Sequence, residues 1–228
     1  MWRIGGSERG WVDDLMADGY AVLLLDSFGA RGISSICSGE ETVNVASPIV
    51  DLFRYADHLE SHPYVDGSRI AVNGFSFGGR TALWSAMTRF QDSYGGSELV
   101  AHVAFYPSTC FIQLEGETDV GDAPIWIFHG TEDDWTPIDQ CQDFVGRLAA
   151  AGVDAALNAY PGAHHSSDDE TLPPAGTAES MLPALATVSS RRSTVRSSIR
   201  TRVASPASAR PVSSSGCNTG STRLPNRR

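Results

Sequence analysis

The sequence has no lysine, so all 17 of its basic side chains are arginine. Its four cysteines, Cys37, Cys110, Cys141 and Cys217, are far apart and form no Cys-x-x-Cys pair. Metal binding is therefore unsupported, while a disulfide among the first three is compatible with the spacing and leaves the redox compartment open. No apolar run reaches the ~18 residues that a membrane-spanning helix needs, so no membrane partner is expected. The start, Met1-Trp2-Arg3-Ile4-Gly5-Gly6, lacks the apolar core of a signal peptide, which makes a cytoplasmic location the default expectation.

Charge is present but unevenly spread. Residues 1–170 hold 8 arginines against 26 carboxylates, a balance of −18, whereas residues 171–228 hold 9 arginines against Glu179 alone, a balance of +8. An acidic body argues against a nucleic-acid partner. A chain of 228 residues with 41% apolar side chains can bury one substantial core.

Five apolar runs read as strands: Tyr20–Leu25, Ile70–Asn73, Val100–Tyr106, Ile125–His129 and Ala155–Tyr160. Between them lie helical patterns at Trp11–Asp18, Pro48–Leu59, Gly79–Arg89 and Asp139–Ala151, the last with Phe144, Val145, Leu148 and Ala149 on one face. Alternation of this kind predicts an α/β fold, a mostly parallel sheet with helices on both faces. Sites in such sheets lie at the carboxyl ends of the strands. From about Thr171 the composition turns to Ser, Arg, Pro, Ala and Thr without a sustained period. Residues 171–228 therefore read as a disordered tail that has too little apolar surface to offset ordering entropy. A basic tail that binds phosphate or membrane surfaces is the alternative.

The most informative segment is Gly74-Phe75-Ser76-Phe77-Gly78-Gly79. A Gly-x-Ser-x-Gly turn between a strand and a helix is the context of a nucleophile elbow, which exposes the serine oxygen above the sheet. Gly74 and Gly78 supply the close backbone approach. The N–H of Phe77 then supplies half of an oxyanion hole. A serine nucleophile needs a base and a group that orients the base. Downstream, His129-Gly130-Thr131-Glu132-Asp133-Asp134-Trp135-Thr136-Pro137 and Tyr160-Pro161-Gly162-Ala163-His164-His165 both follow strands, where such groups belong.

These segments, in this order and together with Asp26-Ser27-Phe28-Gly29-Ala30-Arg31-Gly32, resemble the dienelactone hydrolase family of the α/β-hydrolases over roughly residues 10–168. The resemblance implies Ser76 as nucleophile, Asp133 as acid and His165 as base, with Asp134 and His164 as near rivals. It implies a role for Arg31 near a substrate carboxylate, with a solvated loop arginine as the alternative; Trp135, Trp84 and Phe75 are candidates to line the pocket, although aromatic residues beside a core ordinarily just pack. It also implies a small ester or lactone as substrate and no metal or organic cofactor. The family's type enzyme carries cysteine at the elbow. Serine here favours a general carboxylic-ester hydrolase, since a hydroxyl depends more on its base than a thiol does. The cysteines are then read as structural.

Two features depart from the family pattern. The fold normally has a central strand before the first helix, beside the elbow strand, followed by a loop that donates the second oxyanion N–H. Only Trp2-Arg3-Ile4-Gly5-Gly6 stands in its place, so the domain of residues 1–170 reads as incomplete at the N-terminus. The final helix expected after His165 is replaced by the arginine-rich stretch. Together these suggest a late start codon and a frameshift near residues 166–175. The alternative function is thus a truncated or frameshifted, catalytically inactive relative.

Overall fold

The computed structural model describes residues 6–33, 44 and 46–172, and the backbone of 210–214. Helix α1 (Gly6–Ala17) precedes strand β1 (Leu23–Leu25), and α2 (Ser47–Glu60) precedes β2 (Ile70–Phe75). Then follow α3 (Phe77–Trp84), α4 (Thr88–Tyr94), β3 (Leu99–Phe105), β4 (Ile125–Gly130), α5 (Ile138–Ala150), β5 (Ala155–Tyr160) and β6 (Arg210–Ser214). All strands pair in parallel, in the order β1-β6-β2-β3-β4-β5. Parallel strands buried on both faces read as continuous apolar runs, which is why five of the six were visible in the sequence.

The period of two splits each strand between two cores. One face carries Ile70, Val72, Ala104, Ile125 and Ile127 against Ile49, Leu52 and Phe53 of α2, Leu83 of α3 and Phe144 and Leu148 of α5. The opposite face is aromatic: Phe75, Phe105 and Phe128 pack with Trp11 of α1. Here the rings run across the sheet from strand to strand. Phe75–Phe105 and Phe105–Phe128 are stacked at centroid distances of 5.0 Å each, and Phe128–Tyr160 at 6.4 Å. Ring pairs of this geometry add to the burial of their area. Phe75 and Trp84 are thus core residues, the packing role expected of aromatics beside a core, with 2% and 6% of their surface exposed.

The single helix expected over Gly79–Arg89 is two helices. Ser85 ends α3: its hydroxyl donates to the carbonyl of Ala82 at 2.8 Å and lies 2.9 Å from Nδ1 of His102 on β3. A serine that bonds to nearby backbone in this way competes with helix propagation. Met87 then bridges to Val120 before α4 begins.

The segment Arg210–Ser214, expected within an unstructured tail, is a strand between β1 and β2, in the place beside the elbow strand where the sequence left a gap. The physical reason is the one that made the gap costly: β1 and β2 each present unpaired N–H and C=O groups there, and any extended segment that reaches them satisfies both rows. Pro211, opposite Ala71, has no N–H and forfeits one rung. Residues 173–209 and 215–228, the Gly5 part of the N-terminal loop and Cys37 lie outside the described residues. Among the described residues, no helix is long and apolar enough to cross a membrane.

Cys110 and Cys141 form a disulfide that ties the loop after β3 to α5. Closing a separation of 31 residues limits the unfolded chain, an effect of about 4 kcal/mol in the chain-entropy account. Bonds of this kind persist mainly in oxidising surroundings.

Candidate active site

The elbow is built by close packing of backbone. A Cβ on Gly74 would lie 2.1 Å from the carbonyl oxygen of Gly78, and one on Gly79 would meet the carbonyl oxygen of Phe105 at 2.9 Å. Glycine is therefore required at 74 and 79, while Gly78 contributes the carbonyl that Gly74 must clear. Between them Ser76 sits at φ 49°, ψ −107°, a conformation that a serine holds only when its surroundings over-determine it. They do so here: Ser76 N–H donates to the Phe105 carbonyl at 2.9 Å, and the Ser76 carbonyl accepts from Arg80 N–H and Ser108 N–H at 3.1 and 3.2 Å. Phe77, the first residue of α3, has an N–H without a partner inside the helix.

Three strand-end loops bring Ser76, Asp133 and His165 together. His165 Nδ1 lies 2.8 Å from Asp133 Oδ2, and its Nε2 lies 3.0 Å from Ser76 Oγ. An ionised carboxylate can only accept, so Nδ1 carries the proton and Nε2 is left to accept from the serine hydroxyl. Asp133 is buried. Its Oδ1 accepts from Trp135 N–H and Thr136 N–H at 3.0 and 2.9 Å, and its Oδ2 also accepts from the Thr136 hydroxyl at 2.9 Å. Burial pushes this carboxyl up, but the bond from His165, the Thr136 donors and the charge of His165 together hold it below the usual carboxylate range. The sequence did not single out Thr136. Its position three residues after the acid, at the mouth of α5, is the one signal it gave.

The rivals are placed elsewhere. Asp134 and Glu132 are exposed, and His164 makes no side-chain bond to the acid or the serine among the described residues. His129, at the end of β4, lies under Asp133 with Nδ1 4.0 Å from Oδ2. Burial lowers its pKa, and its Nδ1 donates to the Gly130 carbonyl at 3.1 Å.

The His165 ring contacts two aromatic rings. Tyr106 packs against it tilted at 4.7 Å, and Trp135 stacks at 5.4 Å with 23° between planes. Trp135 is 69% exposed, so it forms the solvent edge of the site. Arg31, expected near a substrate carboxylate, is occupied. Its guanidinium makes a two-point ion pair with Asp51 at 2.6 and 3.0 Å and donates to the Ser27 carbonyl at 2.6 Å. Its charge is therefore largely compensated by Asp51 of α2.

No group of three or more His, Cys, Asp or Glu side chains among the described residues is arranged to hold a metal ion. The arrangement can move a proton from the Ser76 hydroxyl to His165 while Asp133 supports the imidazolium.

Comparison with known proteins agrees with this architecture. The model of the dienelactone hydrolase family matches residues 11–179. An uncharacterized peptidase, YuxL, of Bacillus subtilis is 24% identical over 183 residues, 67% of this chain and 27% of the relative. Acyl-protein thioesterase 1 of Gibberella zeae is 31% identical over 105 residues, 46% of this chain and 44% of the relative. The chain thus spans less than half the length of either curated relative. Among solved structures, the carboxylesterase Cest-2923 of Lactobacillus plantarum superposes with a TM-score of 0.58 at 12% identity, over 89% of this chain and 82% of that one. Esterase 2 of Thermogutta terrifontis, phosphorylated by paraoxon, gives 0.51 at 18% identity over 75% and 69%. At these identities the likeness is one of fold.

Proposed function

The chain belongs to the dienelactone hydrolase family, and from that premise we propose that it cleaves a small carboxylic ester or lactone through an acyl-enzyme on Ser76. The observation that supports this is the continuous hydrogen-bonded chain Ser76–His165–Asp133, with its two links of 3.0 and 2.8 Å. His165 Nε2 takes the hydroxyl proton as Ser76 Oγ attacks the carbonyl carbon. The N–H of Phe77 faces the developing oxyanion as one donor. His165 then gives its proton to the leaving alkoxide. The acyl-enzyme is hydrolysed by a water that His165 deprotonates in turn, and Ser76 is released with its proton restored. Asp133 keeps the imidazole in the productive tautomer throughout. Trp135 forms a flat apolar wall beside the leaving group. A thioester is open to the same attack, and the likeness to an acyl-protein thioesterase makes it the second substrate to try.

The test is turnover of p-nitrophenyl acetate and of a short thioester by residues 1–228, with Ser76→Ala as control. Removal of the nucleophile is expected to cost at least about a thousandfold in kcat. Equal rates for the two proteins would end the hydrolase reading and leave an inactive relative of the family.

A further inference from the structure

His165 sits on a loop that leaves β5, the strand at the edge of the sheet, and an edge strand by itself positions a loop poorly. The loop is fastened twice. Two residues before the histidine, the Ala163 carbonyl accepts from Glu132 N–H at 3.0 Å, and a Cβ on Gly130 would lie 2.1 Å from the same carbonyl oxygen. Three residues after it, the Asp168 carboxylate collects donors from two other elements. The Tyr106 hydroxyl, just past β3, donates to Oδ1 at 2.7 Å, and Ser7 of α1 donates to the same oxygen at 3.2 Å. The indole N–H of Trp11, also on α1, donates to Oδ2 at 2.9 Å. Ser7 and Tyr106 also lie within 3.2 Å of each other. Between the two fastenings Ser166 has φ 55°, so the turn at the histidine is strained and needs both ends held.

Tyr106 links this anchor to the ring it serves. Its hydroxyl holds Asp168 while its ring packs on His165 at 4.7 Å. Its own φ is 35°, and its carbonyl lies 3.4 Å from the Thr136 hydroxyl that also bonds Asp133. One residue thus contacts the loop of the base, the ring of the base and the support of the acid. Burial, and then the charge of Asp168, push the Tyr106 hydroxyl well above its ordinary pKa, so it stays a donor.

We propose that Tyr106 and Asp168 are positioning residues that set the distance and plane of the His165 ring against Ser76, with Ser7 and Trp11 fixing Asp168 to α1. This rests on the triad reading above. Neither residue hydrogen-bonds to Ser76 Oγ or to the His165 ring nitrogens among the described residues. Their effect is on kcat, since a base displaced by a fraction of an ångström still faces a normally bound ester.

The experiment uses the full chain and p-nitrophenyl acetate. Asp168→Asn and Tyr106→Phe are each expected to lower kcat by about 10- to 100-fold with KM changed by less than about threefold. Each is then combined with His165→Ala, where the residual rate is expected to show no further loss, because the base they position is gone. Tyr106→Phe keeps the ring and the buried volume, so it reports even if Asp168→Asn folds poorly. A kcat within about twofold of the parent for Tyr106→Phe, or an undiminished loss in the His165→Ala background, overturns the proposal. A Ser76→Ala control that abolishes turnover while Tyr106→Phe has no effect rejects this proposal alone. A Ser76→Ala protein as active as the parent rejects the triad reading beneath it.

Discussion

The two halves of the sheet are made differently. On one side β2, β3, β4 and β5 run to 6, 7, 6 and 6 residues, follow one another in sequence order and are joined by the stacked rings of Phe75, Phe105, Phe128 and Tyr160. On the other, β1 has only 3 residues, and its neighbour β6 arrives from a remote part of the chain and carries a proline. Ser76, Asp133 and His165 all hang from the first half. The candidate site thus hangs from the half where strand pairing is dense and the strands follow one another in sequence order. The second half supplies the Asp26–Gly32 loop and closes the elbow strand's other edge.

Removing a central ring should break the first half hardest. Phe105→Ala takes away the residue that touches Trp11, Phe75 and Phe128, and a loss of about 4 kcal/mol in urea-measured stability is expected. A loss below 1 kcal/mol would mean that the row of rings is decorative.

His102, on the opposite face of β3, gives a smaller and pH-dependent effect. Burial outweighs its bond with the Ala82 carbonyl and lowers its pKa to about 4. The unfolded chain takes up this proton near pH 6.5 and the folded chain does not. Stability is therefore full above that pH and falls as the pH drops towards 4, by up to about 3 kcal/mol. In His102→Gln that part of the slope should vanish. An unchanged slope between pH 6.5 and 4 would assign the acid sensitivity to other groups.

The second half should respond least. Val212→Pro would remove another backbone donor from β6, at a cost of about 1 to 2 kcal/mol in thermal unfolding, with the kcat of the folded protein preserved. A melting temperature identical to the parent's would show that β1 and β2 do not depend on this strand. A fall in kcat as large as that of the Tyr106 variant would erase the distinction between the halves.

The same division governs what could be read from the sequence. The first half announces itself through local patterns: apolar runs with defined stops, a Gly-x-Ser-x-Gly turn, and two loops at fixed distance from a strand end. Those patterns pointed to Ser76 and to the two loops, and the family resemblance chose Asp133 and His165 over their neighbours Asp134 and His164. What was hidden depends on partners far apart in the chain. β6 has no apolar period, and it pairs because an opening in the sheet accepts any extended backbone. Asp168 stood in a run of acidic residues with nothing to distinguish it from its neighbours, and its donors lie some 60 and 160 positions away, Tyr106 at 62 and Ser7 at 161. Arg31 looked available because the sequence cannot show that Asp51, one helix later, reaches back to it. Phe75 and Trp84 were open between pocket and core because proximity to the elbow along the chain does not reveal which face a side chain takes.

Ser76, Tyr106 and Ser166 are the non-glycine residues with positive φ among those described, and all three meet at His165. Each such backbone costs on the order of 1 to 3 kcal/mol. The protein therefore keeps its least relaxed geometry in one patch, on top of its most tightly braced strands. Changes that let this patch relax would give a hardier and slower molecule. Selection for toughness and selection for turnover pull in opposite directions at these three positions, and elsewhere in the sheet they need not.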